Sequence, residues 1–554
     1  MNIEHAGTAV ASQWSQQYDP LGSPLLSTLV ALVPVLLLLG LLSSHRVRAH
    51  WAAVIGLCAS LAVAIFAVGM PAPMAARAAL FGAAYGLFPI GWILLNVLFL
   101  YQLTVDRGLF VVLQESIAHL TSDRRLQLVL IAFSFGAFFE GAAGFGTPVA
   151  VTAALLIGLG FPALDASVYS LIANTAPVAF GALGTPLIAL QGVTGLDLRD
   201  LSAMVGRQLP LFSMIIPFWV VAAYAGFRRT LEVWPALAVA GIAFAVPQYL
   251  VATYHGPWLV DVTASVCSMG ALALFLRVWS PKNVESVVGS SIGASRDASV
   301  ARSTAALPDR AAVVRAWLPW AVLSVVVFAW GTPQVKSWLN AISAPQIKLA
   351  GLHELVLRLP PVVAAAKPEA AVFSFNWLSA SGSGIAVAAI ISGFLMGCSP
   401  RTMARTYLLN ARRLVPSLLT ISAMMALGYV TRYSGTDTIL GLAFARTGIM
   451  YPFFGTLLGW LGVALTGSDT SSNVLFGGLQ VVTATTLGVN PVLMAAANSS
   501  GGVMGKMIDA QSIVVAGAAT NVRGQEGTIL RRVFWHSIAL ASLVGLFVMI
   551  QAHI

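Results

Sequence analysis

Apolar runs of about twenty residues follow one another along almost the whole chain. The hydrocarbon core of a bilayer, about 30 Å thick, is crossed by roughly 20 helical residues. Inside it every backbone N–H and C=O needs an internal partner, a requirement that a helix of that length meets. Hydrophobic residues make up 58% of the 554 and charged residues only 9%, against roughly 25% charged in a soluble domain. The expected class is an all-α polytopic membrane protein. Spans are predicted near 24–42, 51–69, 86–104, 163–190, 208–226, 232–253, 259–279, 317–331, 378–397, 414–431, 491–516 and 534–552, about 12 transmembrane helices. Two more segments, 127–161 and 451–489, are each too long for one crossing and are broken at the centre by polar, glycine-rich sequence. Both read as re-entrant helical hairpins, which enter and leave on the same side.

The basic residues set the orientation. The first 23 residues are polar, with Glu4, His5, Gln13 and Asp19. They do not form a basic, apolar, cleavable signal, so the first span is expected to act as its own insertion signal. With the N-terminus outside and both hairpins re-entrant, twenty of the 30 Lys and Arg fall in inside loops and nine outside, with Lys506 alone inside a span. That is the positive-inside bias, and full crossing by either hairpin would degrade it. The chain then divides into a polar outside segment (1–23), a first membrane half (24–279), a cytoplasmic linker (280–316) and a second half (317–554) with an outside loop at 332–377. Both termini lie outside. The net charge of +10 belongs to loop anchors and does not point to nucleic acid.

The halves align at a nearly constant offset. Pro89 matches Pro416, Gly108 matches Gly435, Gly141 matches Gly467, Asn174 matches Asn498 and Gly181 matches Gly505. In this topology the first hairpin opens from inside and the second from outside. The chain therefore reads as two inverted-topology repeats, the plan of many transporters with a central site.

The candidate site follows from the breaks. The first polar run is Glu140-Gly-Ala-Ala-Gly-Phe-Gly-Thr-Pro148 and the second is Thr466-Gly-Ser-Asp-Thr-Ser-Ser-Asn473. In the first, Gly141, Gly144, Gly146 and Pro148 stop the helix and free backbone groups for a ligand, beside the Thr147 hydroxyl. In the second, Ser468, Thr470, Ser471, Ser472 and Asn473 add donors and acceptors. A helix that starts after such a tip points its positive end at it, which suits an anion; the plainer reading is a glycine-rich packing contact. Two further segments, Asn174-Thr175-Ala-Pro177 and Asn498-Ser499-Ser500-Gly501-Gly502, are expected to break near mid-membrane at Pro177 and at the glycine pair. Lys506 and Gln511 complete the candidate substrate contacts. Ionisable residues at membrane depth are Glu140, Asp165, Asp469, Lys506 and Asp509, and buried carboxylates are candidates for proton relay. Glu140 and Asp469 are favoured because they sit in the tips, whereas Asp165 and Asp509 read as interfacial. Lys506 either attracts an anion or forms a fixed pair with an aspartate.

There is no phosphate-binding loop for nucleotide hydrolysis. Neither the three cysteines nor the eight histidines have metal spacing. No cofactor, metal or nucleophile–base arrangement is expected, and the chain does not read as an enzyme.

At these residues the chain closely resembles the lactate permease family. The resemblance runs through Phe138-Phe-Glu-Gly-Ala-Ala-Gly-Phe-Gly-Thr-Pro148, Ala173-Asn-Thr-Ala-Pro-Val-Ala-Phe-Gly181, Leu465-Thr-Gly-Ser-Asp-Thr-Ser-Ser-Asn473, Gly501-Gly-Val-Met-Gly-Lys-Met507 and Ala510-Gln-Ser512. It implies import of L-lactate, D-lactate or glycolate with protons across the bacterial inner membrane, by a fold with re-entrant hairpins that often moves as an elevator. Two departures stand out. Ile508-Asp-Ala510 replaces an expected Ser-Pro, which puts a helix break there in question. Arg432, before Tyr433-Ser-Gly435, replaces a neutral residue and bears on the entrance or substrate range. The leading expectation is a proton symporter whose partners are a small monocarboxylate, protons and the lipid bilayer. Na+ coupling is the alternative, and a membrane-embedded enzyme or sensor comes behind both.

Overall fold

A computed structural model describes residues 13–43, 47–118, 120–142, 144, 147–281, 283, 309–363, 365–522 and 525–554. The chain before residue 13, most of the 280–316 linker and the tip residue Gly146 lie outside the described residues. Among the described residues, nine helices are long and apolar enough to cross a bilayer, or eleven if each bent pair is one span. The expected number was higher partly because Val260–Phe275 and Ser381–Leu395 are only 16 and 15 residues long.

The two longest spans carry the plan of the molecule. Ala72–Asp106 and Pro400–Ser434 are 35 residues each, far beyond the predicted 86–104 and 414–431. Sequence reading cut them short because Arg77 and the arginines at 401, 405, 412 and 413 interrupt apolarity. The first span is kinked at Phe88, whose φ of −140° and ψ of 120° leave helical geometry, and the second is one helix throughout. The two run antiparallel along each other. A Cβ on Gly86 would lie 2.8 Å from the Ser422 Cα, Asn410 Nδ2 donates to Leu95 O at 3.2 Å, and Thr406 Oγ1 donates to Asp106 Oδ2 at 3.2 Å.

After each long helix the same elements recur in order. A short helix comes first (Leu109–Ala118; Thr436–Phe444), followed by a hairpin (Arg124–Ala142 with Thr147–Gly158; Tyr451–Thr466 with Asp469–Leu487). A broken helix follows (Ala163–Ala173 with Val178–Thr194; Pro491–Gly505 with Ala510–Ala519), then helical spans (Leu198–Gln208 with Pro210–Ala225; Glu526–Gln551), with Trp234–Tyr254 and Val260–Phe275 added in the first half alone. The matched residues lie on elements of the same order, although Asn174 caps the end of its helix while Asn498 lies inside Pro491–Gly505.

Burial separates the layers. Peripheral helices expose Leu25, Leu36, Phe66, Val325 and Phe328, apolar surface suited to lipid. The first hairpin arm, Arg124–Ala142, is 94% buried, so it lies inside the protein. At one face the loop after residue 332 folds into an amphipathic helix, Pro333–Ile342, and short strands. Trp14–Ser15 pairs in parallel with Val356–Arg358, which puts the N-terminal segment and this loop on one face. Arg432 fastens the loop down: Nε donates to Glu369 Oε1 at 2.7 Å, and Nη1 donates to the carbonyls of Gly192 and Val193 at 3.0 and 3.3 Å. Burial works to raise the Glu369 carboxyl, but Arg432 and Arg358 prevail and hold it below its ordinary value. The unexpected arginine is therefore a clamp at the rim.

Candidate functional site

Helix Gly136–Ala142 ends at the first tip, where Gly144 has φ +56°. Glu140, 4% exposed, is at the end of this arm. Its Oε2 accepts from Asn174 Nδ2 at 3.1 Å. Asn174 closes helix Ala163–Ala173, and the chain bends 66° before Val178–Thr194, the break that Pro177 led us to expect. The backbone stays irregular beyond it. Ala182, Leu183 and Gly184 have φ of +43°, +56° and +81°. Left-handed geometry at two non-glycine residues is strain, which persists only where the surroundings hold it.

The second tip is built differently. Gly467 turns the chain with φ +72°, and Ser468 Oγ caps the next helix by accepting from Ser471 N at 3.2 Å. Asp469 is 3% exposed in the first turn. Its Oδ2 accepts from Ser499 Oγ at 2.5 Å and from Asn473 Nδ2 at 3.4 Å. Behind it Asn498 Nδ2 donates to Asn473 Oδ1 at 2.9 Å and Gln480 Nε2 donates to Asn498 Oδ1 at 3.1 Å. Asn473 Nδ2 also reaches across to Pro186 O at 3.2 Å.

Two expectations need correction here. Helix Pro491–Gly505 runs straight through Gly501-Gly502. These glycines serve close packing: a Cβ on Gly502 would lie 2.9 Å from Val463 Cγ2. The break comes at Lys506–Asp509, where Asp509 leaves helical geometry at ψ 133° and accepts from Ser512 N at 2.7 Å. An aspartate cap thus ends one helix and starts the next without the proline whose absence left the break in question. Asp509 is also not interfacial, being fully buried. Lys506 Nζ pairs with it at 3.2 Å and donates to Gly467 O at 2.6 Å. Asp165, by contrast, is partly exposed and pairs with Arg532 at 2.5 Å.

The two tips and the two breaks meet around one cavity of about 70 Å³. Gly144, Ser468, Thr470, Lys506 and Gln511 line it with Glu140 and Asp469. Asn174, Ser471, Ser472, Asn473, Asn498, Ser499 and Ser500 do not line it, although Asn174 bonds to Glu140, and Asn473 and Ser499 bond to Asp469. Thr175 Oγ1 is occupied by Ile172 O at 2.8 Å, and Thr147 is the first residue of its helix. Thr185 and the left-handed Ala182 also line the cavity. Nothing in their sequence marked them except proximity to Gly181.

A larger cavity of about 590 Å³ opens on the face of the 332–377 loop. Its lining includes Arg199, Trp258, Lys336 and Arg432. Helix Val178–Thr194 joins the two spaces, contributing Thr185 to the small cavity and Gln191 to this vestibule. Lys336 Nζ sits 3.7 Å over the Trp258 ring. Burial and then the nearby Arg199 bring its ammonium down to about 8.

The small cavity combines an ammonium, two carboxyls, three hydroxyl side chains and the N-terminus of helix Asp469–Leu487. That set can orient a small hydroxylated anion. No group of three or more His, Cys, Asp or Glu among the described residues could hold a metal ion.

A family model described as L-lactate permease matches residues 27–554. Glycolate permease GlcA of Escherichia coli K12 is 46% identical over 98% of each chain. L-lactate permease of Bacillus subtilis 168 is 44% identical over 98% of this chain and 99% of its own. Among solved structures, the YdaH transporter of Alcanivorax borkumensis superimposes with a TM-score of 0.43 at 12% identity, covering 95% of this chain and 97% of its own.

Proposed function

Since the chain belongs to the L-lactate permease family, we propose that it is a bacterial inner-membrane symporter importing lactate, and related 2-hydroxymonocarboxylates such as glycolate, together with protons. The observation that carries this reading is the convergence of Glu140, Asp469 and Lys506 on one buried cavity. At about 70 Å³ the cavity is far below the roughly 300–1,000 Å³ of drug-sized ligand sites, so its cargo is a small acid. The substrate carboxylate faces Lys506 and the Asp469 helix N-terminus, and its hydroxyl faces Ser468 and Thr470. Lys506 is already balanced by Asp509. An incoming anion therefore adds an uncompensated charge, which is costly in an apolar interior. A proton on Glu140 or Asp469 cancels it and lets the loaded site move.

The antiparallel pairing of the two long helices supports inverted repeats. The side assignment rests on the basic residues and on which of them meet. Arg432 clamps the loop assigned to the outside, whereas Arg125 pairs with Asp123 and Glu232 among segments assigned to the inside.

Uptake of labelled lactate into proteoliposomes under an imposed pH gradient tests the coupling; indifference to the gradient would falsify it. Exchanging Na+ for choline separates proton from sodium coupling. Asp469→Asn and Glu140→Gln should each abolish gradient-driven uptake. Normal pH dependence in both would move the proton carrier elsewhere. Competition by D-lactate, L-lactate, glycolate and pyruvate ranks the cargo.

A further inference from the structure

Asp261 stands in the first turn of helix Val260–Phe275 and is 1% exposed. Neither carboxyl oxygen has a hydrogen-bond partner among the described residues. An acid in a first turn ordinarily accepts backbone N–H bonds or faces water, and Asp261 does neither. Its surroundings are specific. A Cβ on Gly141 would lie 2.6 Å from Asp261 Cβ, so the first hairpin arm packs directly on it one residue after Glu140. Pro257, four residues earlier, packs on the strained turn, where a Cβ on Gly184 would lie 2.7 Å from Pro257 Cβ. Trp258, three residues earlier, lines the vestibule. The segment 257–261 thus runs from the vestibule to the back of the first tip.

We propose that Asp261 is a proton-relay residue between the vestibule and Glu140. The inference rests on the proton-coupled reading above. An ionised carboxylate without a donor at this depth is costly, so Asp261 holds a proton in this conformation. Its O–H has no acceptor here either, so the resting packing satisfies neither form. A shift of the tip, or one bridging water, brings it to Glu140. In the hand-over the Asp261 O–H bond breaks as an O–H bond forms on a Glu140 carboxylate oxygen. Asp261, left as carboxylate, regains a proton from vestibular water. Glu140 is a titratable group that acts on Asp261. Glu140 itself feels Lys506 and Asp509.

The test uses the full chain in proteoliposomes, with gradient-driven uptake and labelled lactate–lactate counterflow measured side by side, since counterflow needs no net proton movement. Asp261→Asn should lower gradient-driven uptake by ~100-fold or more, the scale of a lost acid–base group, while counterflow stays near wild type. Asp261→Glu should restore gradient-driven uptake in part. Unchanged gradient-driven uptake in Asp261→Asn overturns the relay. So does an equal loss of counterflow that Asp261→Glu does not repair, the mark of a packing role. A wild-type protein indifferent to the gradient overturns the coupling reading itself, and the relay with it.

Discussion

The two halves of the small cavity follow the same element order but differ in how their polar groups are held. On the second-hairpin side the polar side chains are tied to one another. Asp469 is held by Ser499 and Asn473, Asn473 by Asn498, and Asn498 by Gln480, while Lys506 joins Gly467 to Asp509. On the first-hairpin side Glu140 has one side-chain partner, Asp261 has none among the described residues, and Ala182 and Leu183 are strained. A satisfied polar network is rigid and well defined; unpartnered acids beside strained backbone favour change. Under the proposed symport, the contrast fits substrate recognition by the second half and proton movement through the first.

The largest expected effect comes from cutting the stiff side. Lys506→Met leaves Asp509 buried without its cation, a change that costs about 3–5 kcal/mol, so the melting temperature of the purified protein should fall steeply. Adding Asp509→Asn should recover much of the stability but not uptake. An unchanged melting temperature in the single variant would break the comparison. Next come paired deletions across the cavity. Ser499→Ala removes the closest donor to Asp469 and should cost about 1.5–3 kcal/mol, the range for bonds to charged groups. Asn174→Ala removes a single longer bond to Glu140 and should cost less; the reverse order would mean that the first half is the rigid one.

Backbone substitutions give smaller effects of opposite sign. Gly467→Ala forces a side chain into left-handed geometry at about 1–2 kcal/mol and sets its Cβ 2.9 Å from Asp509 Oδ1. Ala182→Gly relieves similar strain but loosens the unfolded chain by about 0.4–1 kcal/mol. Thermal melting should therefore separate them clearly, with Ala182→Gly near wild type. The smallest effect belongs to the vestibule. Lys336 is cationic below about 8 and neutral above, so its attraction for an anion is lost as pH rises. Lactate counterflow at low substrate should decline through that range, and less so in Lys336→Gln or at high salt, which screens charge.

The hairpins were legible because glycine-rich polar sequence inside hydrocarbon has few structural outlets. Pro177 was legible because its ring and missing N–H disrupt a helix. Gly501 and Gly502 misled because glycine permits close packing as readily as a break, and only their neighbours decide which. Asp509 was misjudged from its position near the end of an apolar run, with no sign in the sequence that Lys506 would fold back over it. Asp261 went unnoticed for the same reason: one acid at the start of a span looks interfacial, and its burial comes from a hairpin more than a hundred residues earlier. The vestibule was beyond sequence reading altogether, since Arg199, Trp258, Lys336 and Arg432 meet only in three dimensions.

The depth of that vestibule has an electrical consequence. Helix Val260–Phe275, 16 residues long, rises only about 24 Å at 1.5 Å per residue, short of the roughly 30 Å hydrocarbon core. In the proposed orientation, water in the vestibule beside Trp258 carries the potential of the outer solution inward with it. The membrane voltage then drops mainly across the thin partition between vestibule and cavity, where about 100 mV is worth about 2.3 kcal/mol per elementary charge. On the proposed relay, a proton crossing alone by way of Asp261 feels most of that field. Under the proposed symport, proton and monocarboxylate together carry no net charge, so voltage should change how fast lactate enters and leave its final accumulation untouched.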